Sequence, residues 1–481
     1  MGVSSPQGSG SERKPLRDLF ERQNAATARE PRSTAKERIE KLGRLARALE
    51  ISRNEILAAV HADFRKSPAE ALLTEIFVVA TEIRIARRSL RRWMKPRRVP
   101  ARLSYLGARG EVRREPRGVV LILSPWNFPF QLAVGPLVSA VAAGNRAIVK
   151  PSEFTPRTSA VLKKVLAGVF ADEEVAVVEG DAAVAQSLLE LPFDHVYFTG
   201  SASVGRQILA ASAAHLSSVT LELGGKCPVL VDGTADLREA AKKIAWGKFL
   251  NAGQTCVAPD YVVIPRLQID EFVREMKRAI EDLYGPDEGI SNNPDYCRLV
   301  DARRFASVRD LLDDAVKSGA RIVAGGRVDA SDNFVAPTLV IGAGADARLL
   351  REEIFGPVLP IVAVEGFDGA IAFVKNLPPP LALYIFSRDR GRIAAAIDRI
   401  SSGSVLVNDV VSHFCHPDLP FGGIRQSGLG RSHGEAGFRE FSRERAIFRQ
   451  PKRTMMALLY PPYTAATRKL LGLAVRFLSG R

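Results

Sequence analysis

From residue 119 onward the chain alternates short, wholly apolar runs with stretches of helical periodicity, and few architectures can absorb such an alternation. Val119-Val120-Leu121-Ile122-Leu123 is uninterrupted by any polar residue. A strand with one face in water would alternate polar and apolar positions, so this one is expected to be covered on both faces. A helical stretch over 132–143 follows, then a second apolar run at Ala147-Ile148-Val149. Residues 174–178 and 195–198 read as further strands, with helices over 159–169 and 182–190. Repetition of this kind predicts an α/β fold built on a doubly wound parallel sheet, covered by its own crossover helices. The pattern restarts after Leu223 with helices over 237–250 and 269–283, so a second α/β unit is expected from Glu222. Ahead of the sheet, helical spacing over 39–49 and 72–90 predicts two helices, the second stopped by Pro96. A chain of 481 residues is long enough for two such units and a smaller element.

The net charge of +15 favours anionic partners. The excess lies in local runs such as residues 86–98, without zinc-finger or RNP patterns, so no nucleic acid is expected. Cys227, Cys256, Cys297 and Cys415 show neither CxxC nor Cys/His spacing. That argues against a metal site and a disulfide framework, and for a reducing, cytoplasmic compartment. Residues 1–14 lack the apolar core of a signal peptide and read as a disordered tail. No stretch approaches the roughly 18 apolar residues that cross a bilayer. Residues 465–478, AATRKLLGLAVRFL, put Leu470, Leu471, Leu473, Ala474, Phe477 and Leu478 on one helical face, with Arg468, Lys469 and Arg476 on the other. A basic amphipathic helix of this length can lie on an anionic membrane or pack against a partner subunit.

Four segments carry residues suited to chemistry, and each has a plain structural alternative. In residues 195–211 an apolar strand ends at Gly200-Ser201, and Gly205 opens a helix. Glycine permits close backbone approach and a helix N-terminus favours a phosphate, but an ordinary strand-turn-helix has the same pattern. Lys150-Pro151-Ser152-Glu153 follows a strand, at the carboxyl end where nucleotides lie in such folds; a surface turn is the alternative. Asn251-Ala252-Gly253-Gln254-Thr255-Cys256 is a polar, glycine-containing loop that suits an accessible thiolate, although single cysteines are usually small core residues. Glu222 ends an apolar strand ahead of two glycines. Burial would raise its pKa into the range of a base useful near neutrality, unless it pairs with Lys226.

Together with Pro125-Trp126-Asn127-Phe128-Pro129, Glu352-Glu353-Ile354-Phe355-Gly356-Pro357 and Leu419-Pro420-Phe421-Gly422-Gly423, these segments stand in an order that resembles the aldehyde dehydrogenase superfamily from about residue 35 to 450. Trp93-Met94-Lys95-Pro96, Trp246-Gly247-Lys248-Phe249 and Cys256-Val257-Ala258-Pro259-Asp260-Tyr261 bring the likeness closest to the class 3 branch of fatty and aromatic aldehyde dehydrogenases, bacterial coniferyl aldehyde dehydrogenases included. The resemblance implies a Rossmann-like cofactor domain over 15–221 with an arm hairpin at about 99–117. A catalytic domain over 222–418 follows, then a return to the cofactor domain over 419–450 and a basic extension over 451–481. It implies Cys256 as nucleophile, Asn127 as oxyanion donor with the Cys256 backbone N–H, and Glu222 as the base that activates the hydrolytic water. The implied cofactor set is Trp126, Lys150, Glu153, Gly200, Ser201, Gly205, Leu223, Glu353 and Phe355. Glu353 would hold the nicotinamide ribose beside Phe355, and Lys150 and Glu153 the adenosine ribose. NAD is the expected cofactor with NADP left open, since Glu153 would repel an added phosphate that Lys150 would attract. No metal is implied, and a homodimer is. The expected reaction is oxidation of a medium- or long-chain aliphatic or an aromatic aldehyde to a carboxylic acid, with Phe128, Phe414 and Phe421 lining an apolar access tunnel. An acyl-phosphate or coenzyme A-dependent reductase, or a catalytically silent homologue, are the alternatives.

Overall fold

The computed structural model describes residues 10–100, 107–452 and 460–479. A six-stranded sheet has the spatial order Gly428–Leu429, Ser218–Leu223, His195–Gly200, Val119–Leu123, Arg146–Lys150, Val175–Val177. All but the first strand run parallel. Val119–Leu123 is buried at every position, as its unbroken apolar run requires. Val120 and Ile122 enter the core on one face, and Val119, Leu121 and Leu123 the core on the other. The chain winds outward from this strand in both directions, so the strand order reverses between Val119–Leu123 and His195–Gly200 and opens a crevice at their carboxyl ends.

A seven-stranded sheet forms the second unit, in the order Arg321–Ala324, Thr338–Ile341, Val358–Val364, Tyr261–Pro265, Pro228–Val231, Ala382–Phe386, Ser404–Val407, parallel except for the first. The first sheet runs two residues past the boundary expected at 221. Glu222 therefore belongs to the last parallel strand of the first unit, opposite Thr199 and Gly428, because the apolar run through Leu223 keeps pairing.

A three-stranded antiparallel sheet joins Arg97–Val99, Arg109–Pro116 and Ser442–Arg449. It includes the expected arm hairpin, whose connection at 101–106 lies outside the described residues. Toward the N-terminus, Gly10–Arg29 is a helix, so positions 10–14 of the expected disordered tail are helical, while 1–9 lie outside the described residues. Its anchor is apolar: Leu19 and Phe20 are buried, with Phe20 edge-on to Phe193 at 5.0 Å. The helix expected over 72–90 is divided. Pro68–Ala71 is α-helical, Leu72–Phe77 is a π-helix, and Val78–Trp93 resumes the α-helix. The C-terminal helix is Ala465–Leu478, capped by Thr464, and Leu470, Leu473, Val475 and Phe477 lie exposed on it.

Candidate active site

The crevice at the strand ends is a cleft of about 730 Å³. Its floor comes from the Val119–Leu123 and His195–Gly200 strand ends, its far wall from the Ala202–Ala213 helix. A Cβ on Gly205 would stand 2.8 Å from Leu223 Cδ2, so only glycine lets this helix lie so close to the strand. Ser201 caps the helix, its hydroxyl accepting from Val204 N at 3.4 Å, and the positive helix end points to the cleft. Gly200 and Ser201 both line it. Lys150 is buried and donates to Glu153 at 2.9 Å and to the Pro151 carbonyl at 3.0 Å, which fixes its ammonium on the cleft wall. At the inner end Trp126 meets Phe355 edge-on, 5.4 Å between ring centroids. Glu353 accepts from Gly225 N at 3.0 Å. Burial, reinforced by Asp260, pushes its carboxyl up to about 7. Such a cleft, with a helix N-terminus at one end and Trp126 with Arg304 at the other, suits a dinucleotide; Glu353 and Phe355 stand behind its lining.

Cys256 lies past the inner end, in a loop held in an unusual backbone. Asn251, Ala252 and Gly253 have φ of 56°, 49° and 76°. Left-handed non-glycine residues are strained and gather at functional sites. A Cβ on Gly253 would fall 2.2 Å from the Gly356 carbonyl oxygen. Buried Gln254 locks the turn: its amide nitrogen donates to the Asn251 and Arg298 carbonyls, and its oxygen accepts from Val300 N. Cys256 is half-buried and faces a cavity of about 130 Å³ with mainly apolar walls, among them Leu73, Phe128, Trp246, Val411 and Phe414. Phe128 and Phe414 stand where the tunnel expectation puts them; Phe421 sits behind, 5.9 Å from the Phe414 ring and outside the wall.

The loop composition suggests an accessible thiolate; Cys256 does border the cavity, while its surroundings favour the protonated thiol. Burial, then the negative charge of Glu353 and Glu222, push the Cys256 thiol up to about 12. Glu353 and Glu222 are thus the two carboxylates whose charge acts on the sulfur. Glu222 accepts from Ser432 Oγ at 2.8 Å through Oε1, while Oε2 is buried without a partner. Burial pushes this carboxyl up to about 8, although Ser432 and Arg431 pull it down. Lys226 is not its partner. It pairs with Asp260 at 2.7 Å and donates to the Leu349 and Glu352 carbonyls. Asn127 is buried between Trp126 of the cleft and Phe128 of the cavity, and its Nδ2 donates to the Gln254 carbonyl at 3.0 Å, two residues before the cysteine. That bond uses one hydrogen of the amide.

Residues 11–447 match the model of the aldehyde dehydrogenase family. The chain belongs to that family. It is an NAD(P)-dependent oxidoreductase acting on aldehydes. Coniferyl aldehyde dehydrogenase of a Pseudomonas species is 41% identical over 441 residues, covering 90% of this chain and 91% of that protein. Mouse aldehyde dehydrogenase family 3 member A2 is 40% identical over 427 residues, 88% of this chain and 87% of its own length. The substrate-bound structure of Staphylococcus aureus AldH superimposes with a TM-score of 0.91 at 37% identity, over 95% of this chain and 99% of that one.

Several groups around this dehydrogenase site carry no local mark in the sequence. Ser432, the hydroxyl on Glu222, is 210 positions away. Arg304 lines the cofactor cleft with its guanidinium 5.5 Å from the Trp126 ring, and stands in an ordinary amphipathic helix. Lys66 and Glu75 lie behind Asn127, on its carbonyl and on Phe130 N.

Proposed function

We propose that this aldehyde dehydrogenase oxidises apolar aldehydes, aliphatic of medium or long chain or aromatic, through a thioester on Cys256. What carries the reading is the setting of Cys256: it borders an apolar cavity, and its thiol feels the charge of Glu222, a buried carboxylate with an open oxygen. The Cys256 sulfur bonds to the carbonyl carbon, its proton leaving to water. The carbonyl oxygen takes the negative charge, and the second hydrogen of Asn127 Nδ2 and the Cys256 backbone N–H are the donors for it. Preorganised donors in a dry site are worth more than the same groups in water. When bound, the nicotinamide supplies the hydride acceptor. Trp126, Phe355 and Glu353 would hold its ring and ribose, Ser201 and the Ala202–Ala213 helix the diphosphate, with Gly200, Gly205 and Leu223 giving the close approach. Lys150 and Glu153 would take the adenosine ribose. Because Lys150 is already tied to Glu153, an added 2′-phosphate would meet a carboxylate, which favours NAD. Glu222 Oε2 then takes a proton from the water that cleaves the thioester, releasing the carboxylic acid and the thiol.

An acyl-phosphate or coenzyme A-dependent reductase gains nothing from a hydrolytic base, so the open oxygen of Glu222 favours water. The test is reduced-cofactor absorbance with NAD and NADP across aliphatic aldehydes of rising length, benzaldehyde and coniferaldehyde, with Cys256→Ala as control. Turnover that rises with apolar length and vanishes in the variant is expected. Turnover only in the presence of coenzyme A or phosphate overturns the hydrolytic reading.

Two assembly readings belong here. The likeness to class 3 enzymes implies a homodimer, which light scattering checks. The Ala465–Leu478 helix sets its exposed apolar face against Arg468, Lys469 and Arg476, and no acidic residue follows Glu444. That chemistry fits the surface of an anionic membrane. No helix among the described residues is long and apolar enough to cross one. Co-sedimentation with phosphatidylglycerol vesicles, lost in a chain ending at Thr464, is expected; equal pelleting of both chains refutes it. Four free cysteines fit a reducing compartment on the cytoplasmic side.

A further inference from the structure

Behind the oxyanion side of the site lies an ion pair with no access to solvent. Lys66 Nζ is 2.7 Å from Glu75 Oε1, and both side chains are wholly buried. Neither touches the cofactor cleft or the substrate cavity. A pair of this kind is costly to desolvate, and apolar residues of similar shape often serve stability as well or better, so its use has to be sought in the geometry it fixes.

That geometry is the backbone around Asn127. Lys66 Nζ also donates to the Asn127 carbonyl at 3.2 Å, and it sits 4.1 Å from the Phe128 ring centroid. The second oxygen of Glu75 accepts from Phe130 N at 3.2 Å and Gln131 N at 2.9 Å, at the start of the Gln131–Ala143 helix. One ion pair therefore grips residues 127–131 at both ends. The nucleophile loop is tied to the same point. Asn251 Nδ2 donates to the Asn127 carbonyl at 2.8 Å and to the Gln254 carbonyl at 3.1 Å. Asn251 N in turn donates to Glu70 Oε1 at 3.0 Å. Lys66, Glu70 and Glu75 thus reach both halves of the reacting pair from one short segment.

The segment itself is unusual. Glu75 lies in the π-helical turn Leu72–Phe77, whose wider winding puts Leu73 and Thr74 on the wall of the Cys256 cavity while Glu75 turns inward to Lys66. Turns of this type recur at functional sites. The substrate wall and the clamp on Asn127 are neighbours on one π-helical turn.

We propose that Lys66 and Glu75 are positioning residues for the Asn127 carboxamide. They hold the backbone of residues 127–131 so that the free amide hydrogen points to the aldehyde oxygen. The proposal rests on the reading of Asn127 as an oxyanion donor, and the test separates the two. Lys66→Met with Glu75→Gln removes both charges, Gln matching Glu in shape and Met one atom shorter than Lys. It is made in the wild-type enzyme and in Asn127→Ala. With the donor intact, kcat is expected to fall roughly tenfold to a hundredfold, less than the about 10²–10³ that loss of a whole oxyanion donor costs. The Kd for NAD, read by protein fluorescence, stays at the wild-type value. In Asn127→Ala the same pair of changes is expected to lower kcat less than about threefold, because their effect passes through a group already absent.

Equal losses in both backgrounds, or full activity of the double variant, overturn the positioning role. Wild-type turnover by Asn127→Ala alone overturns the oxyanion reading, and this proposal with it. If the double variant does not fold, isosteric Glu75→Gln alone carries the same cycle, with the same non-additivity expected and additivity refuting it.

Discussion

Replacing Glu222 by Gln separates the two halves of the reaction. The carboxyl is pushed up to about 8 by burial. With that value about one molecule in eleven carries the ionised base at pH 7 and about ten in eleven at pH 9, so thioester hydrolysis gains roughly tenfold between them. Wild-type kcat, if hydrolysis limits it, follows that rise; Glu222→Gln loses the rise and falls by about 10²–10⁴. Rapid mixing with aldehyde and NAD shows why: the variant is expected to release one equivalent of reduced cofactor per site and then stall. Stability moves oppositely. A carboxyl raised from its ordinary 4.5 to about 8 binds its proton more tightly in the folded chain, so its contribution is complete below pH 4.5 and is lost as pH rises through about 8. The charge costs on the order of 5 kcal/mol at most by pH 9. Glu222→Gln escapes that cost, so its melting temperature should exceed the wild type's at pH 9 and match it near pH 4. A variant with normal steady-state turnover, or one whose melting difference does not depend on pH, would refute the assignment of base and environment together.

Ser432→Ala removes the hydrogen bond that favours the ionised Glu222. Its kcat–pH midpoint is expected to move further alkaline, and an acid shift contradicts the geometry. The Cys256 thiol, pushed up to about 12, is expected to react slowly with iodoacetamide at pH 7 and about tenfold faster per pH unit above it; a plateau below pH 8 refutes the two-carboxylate setting. Gly205→Val places a branched side chain where a Cβ already stands 2.8 Å from Leu223. It is expected to weaken NAD binding at least tenfold in a fluorescence titration, with kcat at saturation less affected.

Much of the fold is legible because doubly covered strands leave no polar positions. Val119–Leu123 and its neighbours announce themselves by composition, and their crossover helices by period. The site is legible where its chemistry is local: a cysteine after a glycine turn, a glutamate ending an apolar strand. It is illegible where the partner comes from across the fold. Nothing near Glu222 foretells Ser432, and nothing local marks that Lys66, in the loop before the Pro68–Ala71 helix, pairs inside the fold with Glu75 on the π-turn. Lys226 shows the converse error, since proximity in sequence suggests a pairing with Glu222 that Asp260 takes instead. Protonation is also a property of surroundings: the same polar loop that suggests a thiolate favours the thiol once burial, and then the charges of Glu353 and Glu222, act on it.

Glu222 rides on the last parallel strand of the first sheet, whereas Cys256 hangs from the second unit. The chemistry is therefore a measurement of how the two halves are docked. Gentle heating or mild denaturant that loosens their contact, while each sheet keeps its own core, is expected to silence turnover and to change the emission of Trp126, which packs on Phe355 and Arg304, before far-ultraviolet circular dichroism moves. A sample with intact secondary structure can then already be catalytically dead.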